Sequence, residues 1–543
     1  MRRREARTAP PATPPGRRPL HAMSAASTVY AGVPPVNDLR TGLAQRGIEA
    51  FLWGTGGSVL RMALQLGTQI ALARILGPEV YGLFAIGVLV IGVSNYLADF
   101  GLAYSLIQKP EVRPADVAFV WTLQVLLGLV VGGAMFAAAG PLAAAFDKEA
   151  AADMFRMLAL VCLFNAMASP STNLLKKTLD HRWLQLALLL AYVVGYFLVG
   201  LPLALAGAGI DSLVAAMVVQ AVAQFVLLYA RVRHPLAPRL AVDGGWQMLR
   251  YGAMVLATNL VNWVLTSADR LAVGRFFPAS VVGLYATAYN LVNAPAAAGY
   301  ATTQSVVFAA CARLQGDPRA MYLLLKRLLA TVAVVVFPLF AVASAGAEVV
   351  VAAVYGPSWR EAAPFLAVFA LGVPWMLVWG ISTPVLWNTG RQRLEMTLQL
   401  PLAVLWCVVL WAVASSGALT FAFAAAGLLA FRSAVAVLLA GRQVGLGARA
   451  LATMLLRGAL VTLAVWLACA AMARWMAVLD WHAWVALPAL LATGSLVLAL
   501  VLLAGGRHLI DAALADWPAV HVTRLPTVLH GPVRRALGSG GGG

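Results

Sequence analysis

Charge is the scarcest commodity in this sequence. Only 11% of its 543 residues are Asp, Glu, Lys or Arg, against about 25% in an ordinary soluble domain. Apolar residues make up 62%, and the mean hydropathy is +0.83. Too few polar side chains remain to cover a water-soluble fold, so lipid must solvate much of the chain. Cysteine is almost as sparse. Cys162, Cys311, Cys407 and Cys469 lie in or beside apolar runs with no CxxC spacing, which argues against a disulfide framework or a zinc site. There is no GxxxxGK[ST] loop for phosphate and no HExxH among the seven histidines. The triplet Asp99-Phe100-Gly101 stands without the other kinase elements. Neither catalysis nor a cofactor or metal site is therefore expected. No apolar segment follows the opening MRRREAR, so that stretch does not read as a cleaved signal peptide, and Met23 is a second candidate initiator.

What is present is a succession of long apolar runs rich in Ala, Leu and Val. A membrane-spanning helix needs about 20 such residues, whereas a β-barrel would show short alternating segments. Fourteen runs are counted between residues 48 and 504, which predicts an all-α polytopic membrane protein with about 14 transmembrane helices. An even number puts both termini on one side. The formal net charge of +18 would suggest nucleic acid in a soluble protein. Here membrane orientation explains it, because Lys and Arg collect on the cytoplasmic side. With both termini inside, the inner loops hold Lys176, Lys177 and Arg182, then Arg231, Arg233 and Arg239, then Arg313, Arg319, Lys326 and Arg327. The outer loops hold only scattered cations such as Arg74, Lys148 and Arg275. No nucleic-acid partner is expected.

An internal repeat refines this architecture. Leu72–Gly87 aligns with Val273–Ala288 at an offset of 201 residues, with Arg74, Val80, Gly82, Leu83 and Ala85 matching Arg275, Val281, Gly283, Leu284 and Ala286. Both stretches fall at the turn between two runs, so spans 1 and 2 correspond to spans 7 and 8. Six spans separate them, and an even number makes the halves parallel. The expected organisation is a disordered cytoplasmic tail over 1–46, an N-lobe over 47–230 (spans 1–6), a cytoplasmic inter-lobe loop over 231–245 and a C-lobe over 246–440 (spans 7–12). Spans 13–14 over 441–504 and a cytoplasmic tail over 505–543 complete it. The expected fold is thus two parallel pseudo-symmetric six-helix lobes plus two extra C-terminal helices.

Polar groups inside spans are expensive and mark cavities or partners. Span 1 carries Ser58, Arg61, Gln65 and Thr68 at three- and four-residue spacing, which puts them on one helical face. Span 7 carries Asn259, Asn262, Thr266, Asp269 and Arg270, and span 8 carries Tyr285, Tyr289 and Asn293. At the repeat offset Arg61 corresponds to Asn262 and Gln65 to Thr266. The functional reading is a central hydrophilic cavity between the lobes, and the bland alternative is hydrogen-bonded helix packing. Arg61 favours the cavity, because it lies near mid-span and no acid on span 1 can neutralise it. Arg432 and Arg457 are close enough to the inner surface to extend toward headgroups.

Two stretches, Gly77–Glu111 (GPEVYGLFAIGVLVIGVSNYLADFGLAYSLIQKPE) and Ala268–Leu291 (ADRLAVGRFFPASVVGLYATAYNL), resemble the Wzx-type oligosaccharide flippases. These form the polysaccharide transporter branch of the multidrug/oligosaccharidyl-lipid/polysaccharide exporter superfamily. The resemblance covers about residues 47–440. It implies a bacterial inner-membrane protein that moves an undecaprenyl-pyrophosphate-linked oligosaccharide between leaflets by alternating access. Its partners would be that glycolipid, membrane lipid, and polysaccharide polymerase and export machinery. On the family pattern, Arg61 and then Arg270 would hold pyrophosphate or an acidic sugar. Gln65, Asn259, Asn262, Tyr289 and Asn293 would contact sugar hydroxyls, and Asp269 would carry a coupling ion. Rival readings are a multidrug exporter of the same superfamily, a glycan polymerase or ligase, and a non-transporting component of a glycan assembly complex. A mid-membrane Arg disfavours cationic drugs as cargo, and the short outer loops leave a polymerase little room.

Overall fold

The computed structural model describes residues 43–314, 316–413 and 415–510. The expected tails at 1–46 and 505–543 fall outside the described residues, apart from their helical edges at 43–46 and 505–510. The chain folds as α1 (Leu43–Asp99), α2 (Leu102–Gln108), α3 (Pro114–Ala137), α4 (Ala139–Ala145), α5 (Ala152–Lys177), α6 (His181–Tyr192), α7 (Leu201–Leu205) and α8 (Ile210–Val232). The second half comprises α9 (Gly245–Phe276), α10 (Ala279–Arg313), α11 (Pro318–Thr331), α12 (Phe337–Ala345), α13 (Ala347–Val354), α14 (Ala363–Gly372), α15 (Trp375–Asn388), α16 (Gln392–Ala412) and α17 (Ala418–Val444). Two more helices, α18 (Ala448–Val478) and α19 (Ala483–Ile510), close the described chain. The protein is an all-α polytopic membrane protein.

Ten helices among the described residues are long and apolar enough to cross a membrane. The difference from fourteen has physical causes. Spans 1 and 2 run as one helix, α1, broken at Gly77 (φ 77°) with Pro78 inside it. Proline removes a backbone donor and glycine alone tolerates that φ without strain, so the bend falls where the sequence places a turn. The stripes of α9 and α10 lower their hydropathy below that of a uniformly apolar span. The run over 394–415 yields an apolar helix only from Pro401 to Ala412.

Two helices widen before a proline. A π segment, Val193–Gly200, joins α6 to α7 ahead of Pro202, and another, Val332–Val336, joins α11 to α12 ahead of Pro338. Proline cannot donate to the preceding turn, and the wider ladder re-pairs the freed carbonyls.

Aromatic packing centres on Tyr285, which is fully buried between Phe365 and Phe369 at ring distances of 5.7 and 4.9 Å. The last two helices seat on α12 and the segment before it. Gly458 lies against Ala333, Gly494 against Val342, and Leu490 against Gly346. Small residues let these backbones approach closely, which is how helices associate where lipid removes the hydrophobic drive. The segment between α8 and α9 is non-helical and lies over α3, with the Arg239 backbone N–H donating to Thr122 Oγ1 at 2.9 Å.

Candidate functional site

The repeat pairs sit at the helix ends expected to face outward, and there they bind the two halves of the chain together. A β-carbon on Gly82 would lie 1.6 Å from the Ala279 carbonyl oxygen, and one on Gly283 would lie 2.0 Å from that of Pro78. Each glycine thus admits the helix start of the opposite repeat. Arg74 Nε donates to the Val354 carbonyl at 2.7 Å, its Nη2 donates to Ala353, and its guanidinium lies over Trp484. Its repeat mate Arg275 pairs with Asp147 in the loop after α4. Trp359 Nε1 adds a bond to the Ala73 carbonyl at 3.2 Å. Both repeat-equivalent arginines therefore reach across to the other half.

The polar stripes fare differently from one another. Asp269, only 3% exposed, accepts from the Tyr285 hydroxyl at 2.9 Å and faces Arg270 Nε at 4.0 Å. Arg270 donates to the Thr266 carbonyl and to Ser267 Oγ, and its guanidinium lies 4.5 Å from the Tyr289 ring centroid. Four of the expected groups thus form one tied cluster. Arg61 does not join it. It is half-buried on the first segment of α1 and makes no ion pair or hydrogen bond with any described residue. Gln65, Asn259, Asn262 and Asn293 are likewise partly exposed, with side-chain amides unpaired among the described residues. These five keep their full capacity for a ligand, whereas Arg270 and Asp269 have spent much of theirs on each other and on the tyrosines.

Two further polar groupings lie outside these stripes. Arg432, expected to extend toward headgroups, instead lies 3.9 Å over the Trp379 ring, with its Nε buried and without an acceptor among the described residues. Nearby, Glu395 accepts from Trp387 Nε1 and, at 3.4 Å, from Thr383. The larger grouping is a cavity of about 380 Å³ between the second segment of α1, α5 and α8, lined by Asn95, Asp99, Asn165, Ser169, Gln220 and Gln224 among others. The signal was available, since each helix places these residues three or four apart.

Comparison with known proteins accords with this architecture. The family model described as "Polysaccharide biosynthesis protein" matches residues 71–364, a range that contains both stretches of the Wzx-type resemblance. The lipopolysaccharide biosynthesis protein WzxC of Escherichia coli is 24% identical over 60% of this chain and 66% of its own length. The succinoglycan biosynthesis transport protein ExoT of Rhizobium meliloti is 24% identical over 68% of this chain and 73% of its own. The chain thus spans about two thirds of the length of these curated relatives. Among solved structures, the lipid II flippase MurJ in an inward closed conformation gives a TM-score of 0.66 at 12% identity, covering 84% of this chain and 99% of that one. An inward-facing MATE family multidrug transporter gives 0.50 at 13% identity, covering 71% and 94%. These two likenesses place the fold. The family model covers more than half of the sequence, and the chain belongs to the polysaccharide biosynthesis protein family.

Proposed function

We propose that this protein is a flippase that carries an undecaprenyl-pyrophosphate-linked oligosaccharide repeat unit across the bacterial inner membrane by alternating access. The observation that carries this reading is Arg61, a guanidinium on a membrane-spanning helix that no described group neutralises. An unpaired cation in that position is costly, and a diphosphate ligand would repay it through bidentate, charge-assisted hydrogen bonds. Gln65, Asn259, Asn262 and Asn293 supply unpaired amides for sugar hydroxyls, with Arg270 and Tyr289 beside them.

On this reading residues 47–230 and 246–440 are the moving lobes, 231–245 is the cytoplasmic connection, and 441–504 is an appendage on the C-lobe. Both termini are cytoplasmic, and polysaccharide polymerase and export machinery act on the delivered cargo. The reciprocal contacts at Gly82 and Gly283 and the crossing arginines Arg74 and Arg275 serve as the outer closure, opened when the lobes rock apart.

The test is a gene deletion, scored for surface polysaccharide and for lipid-linked oligosaccharide on the cytoplasmic leaflet. Loss of the polymer with inward-facing accumulation is expected. Normal polysaccharide with raised sensitivity to cationic drugs would instead make the protein a multidrug exporter.

A further inference from the structure

Among the described residues, none from α9 or α10 lines the cavity between α1, α5 and α8, and its chemistry is distinctive. Five carboxamides line it, from Asn95, Asn165, Asn173, Gln220 and Gln224. Each carboxamide offers both a donor and an acceptor. Only part of that capacity is used internally. Asn165 Nδ2 donates to Asn95 Oδ1 at 3.3 Å, and Asn173 Nδ2 donates to the Ser169 carbonyl at 3.0 Å. Among the described residues, Asn173 Oδ1 is buried without a partner and the amides of Gln220 and Gln224 are unpaired.

The charged members do not make this an ion site. Asp99 is held by Ser169 Oγ and by Gln124 Nε2 at 2.9 Å. It is the only carboxylate in the lining among the described residues, whereas a bound hard cation wants about six or more oxygen ligands, usually with several carboxylates. Lys176 makes no ion pair among the described residues, and its ammonium stands 5.7 Å from the Tyr104 ring centroid. Val161, Ala166, Met217 and Ala221 supply an apolar wall. At about 380 Å³, the space equals the liquid volume of roughly a dozen waters. That is ample for one or two sugar rings.

We infer that this cavity is a saccharide subsite, in which the carboxamides of α1, α5 and α8 bind the hydroxyls of one unit of the oligosaccharide cargo. A sugar hydroxyl both donates and accepts, which is the complement of a carboxamide-lined wall, and its C–H faces suit the apolar side. Lys176 and Tyr104 stand where an acidic substituent and a ring face would be met. The assignment rests on the flippase reading, and it places a sugar contact within the first half of the chain rather than between the halves.

The test uses the full chain in membrane vesicles from the deletion strain. The probe is lipid-linked oligosaccharide assembled in place from radiolabelled sugar nucleotide. A benzophenone amino acid replaces Gln220, or, as a control, Leu198, which is 65% exposed on the helical segment before Pro202. After irradiation, mild acid cleaves the sugar–phosphate bond, so only label attached through the sugar stays on the protein. Acid-stable label at position 220, about tenfold above that at position 198, is expected. In parallel, the double variant Gln220→Leu/Gln224→Leu should export about tenfold less at unchanged membrane level, as the loss of two neutral hydrogen bonds predicts. Absence of acid-stable label at 220 overturns the subsite, even if the double variant exports poorly, because that loss would then be a packing defect. A deletion strain with normal surface polysaccharide would overturn the flippase reading itself, and the subsite with it.

Discussion

Gly82 and Gly283 are repeat-equivalent residues 201 positions apart in sequence, and in the fold each accepts the backbone that precedes the other. The close approach joins the two halves at the ends of the helices expected to face outward. Because the obstructing atoms are main-chain carbonyls rather than movable side chains, a substituted side chain has no easy escape. Gly82→Val should destabilise the solubilised protein by about 3 kcal/mol or more, the upper range for overpacking. Gly283→Val should do the same. Thermal unfolding of the purified variants checks this, and an unchanged midpoint would mean the halves are not held at this contact.

Arg61 and Arg270 look alike in the sequence and behave differently in the fold. Arg270 is anchored to Thr266, Ser267 and Tyr289, while Arg61 has no described partner. As the proposed head-group contact, Arg61→Ala should abolish export at normal membrane levels. Arg61→Lys should retain part of it, because charge survives while bidentate geometry is lost. Full activity in the alanine variant would remove Arg61 from the site.

The same pair shows how far sequence reasoning reaches. Helical spacing groups polar residues into stripes, and the repeat pairs Gly82 with Gly283, but the close approach of each glycine to the opposite repeat is visible only in the fold. What spacing cannot supply is which faces meet. Asn95 and Asp99, Asn165 and Ser169, and Gln220 and Gln224 each sit four apart, by the rule that picked out Arg61 and Gln65. They converge only because α1, α5 and α8 pack together, and these helices are not consecutive in the chain. A lone stripe looks like a packing device until its neighbours are known. Conversely, the Asp269 hydrogen bond to Tyr285 joins α9 to α10, and neither residue's sequence neighbours announce it.

The family resemblance implies that Asp269 carries a coupling ion, and its surroundings sharpen the test. The carboxylate already accepts from Tyr285 and faces Arg270. Asparagine keeps the shape and the tyrosine bond but cannot take up a proton or hold a counter-charge. Asp269→Asn should therefore remove the dependence of export on the transmembrane gradient. Transport in vesicles with and without an imposed gradient measures it, and undiminished gradient dependence would leave Asp269 as a structural partner of Tyr285 and Arg270.

The connection between the halves carries its own pH response. His234 is 1% exposed, lies near Trp121 and edge-on to Tyr229, and has a buried Nε2 with no hydrogen-bond partner among the described residues. Burial disfavours its charged form and pushes its pKa below 6.5, an effect the nearby Pro235 carbonyl only partly offsets. The unfolded chain takes up a proton near pH 6.5 and the folded chain does not until lower pH, so protonation favours unfolding. The stability linked to His234 is therefore complete above about pH 6.5 and declines as the pH falls toward the depressed folded value. His234→Phe keeps an aromatic ring between Trp121 and Tyr229 and removes the titration. Between about pH 7.5 and about pH 5.5, the range over which histidine changes charge, the unfolding midpoint of the native protein should fall further than that of the variant. Parallel curves would assign the acid sensitivity to other groups and leave His234 as a packing residue of the inter-half segment.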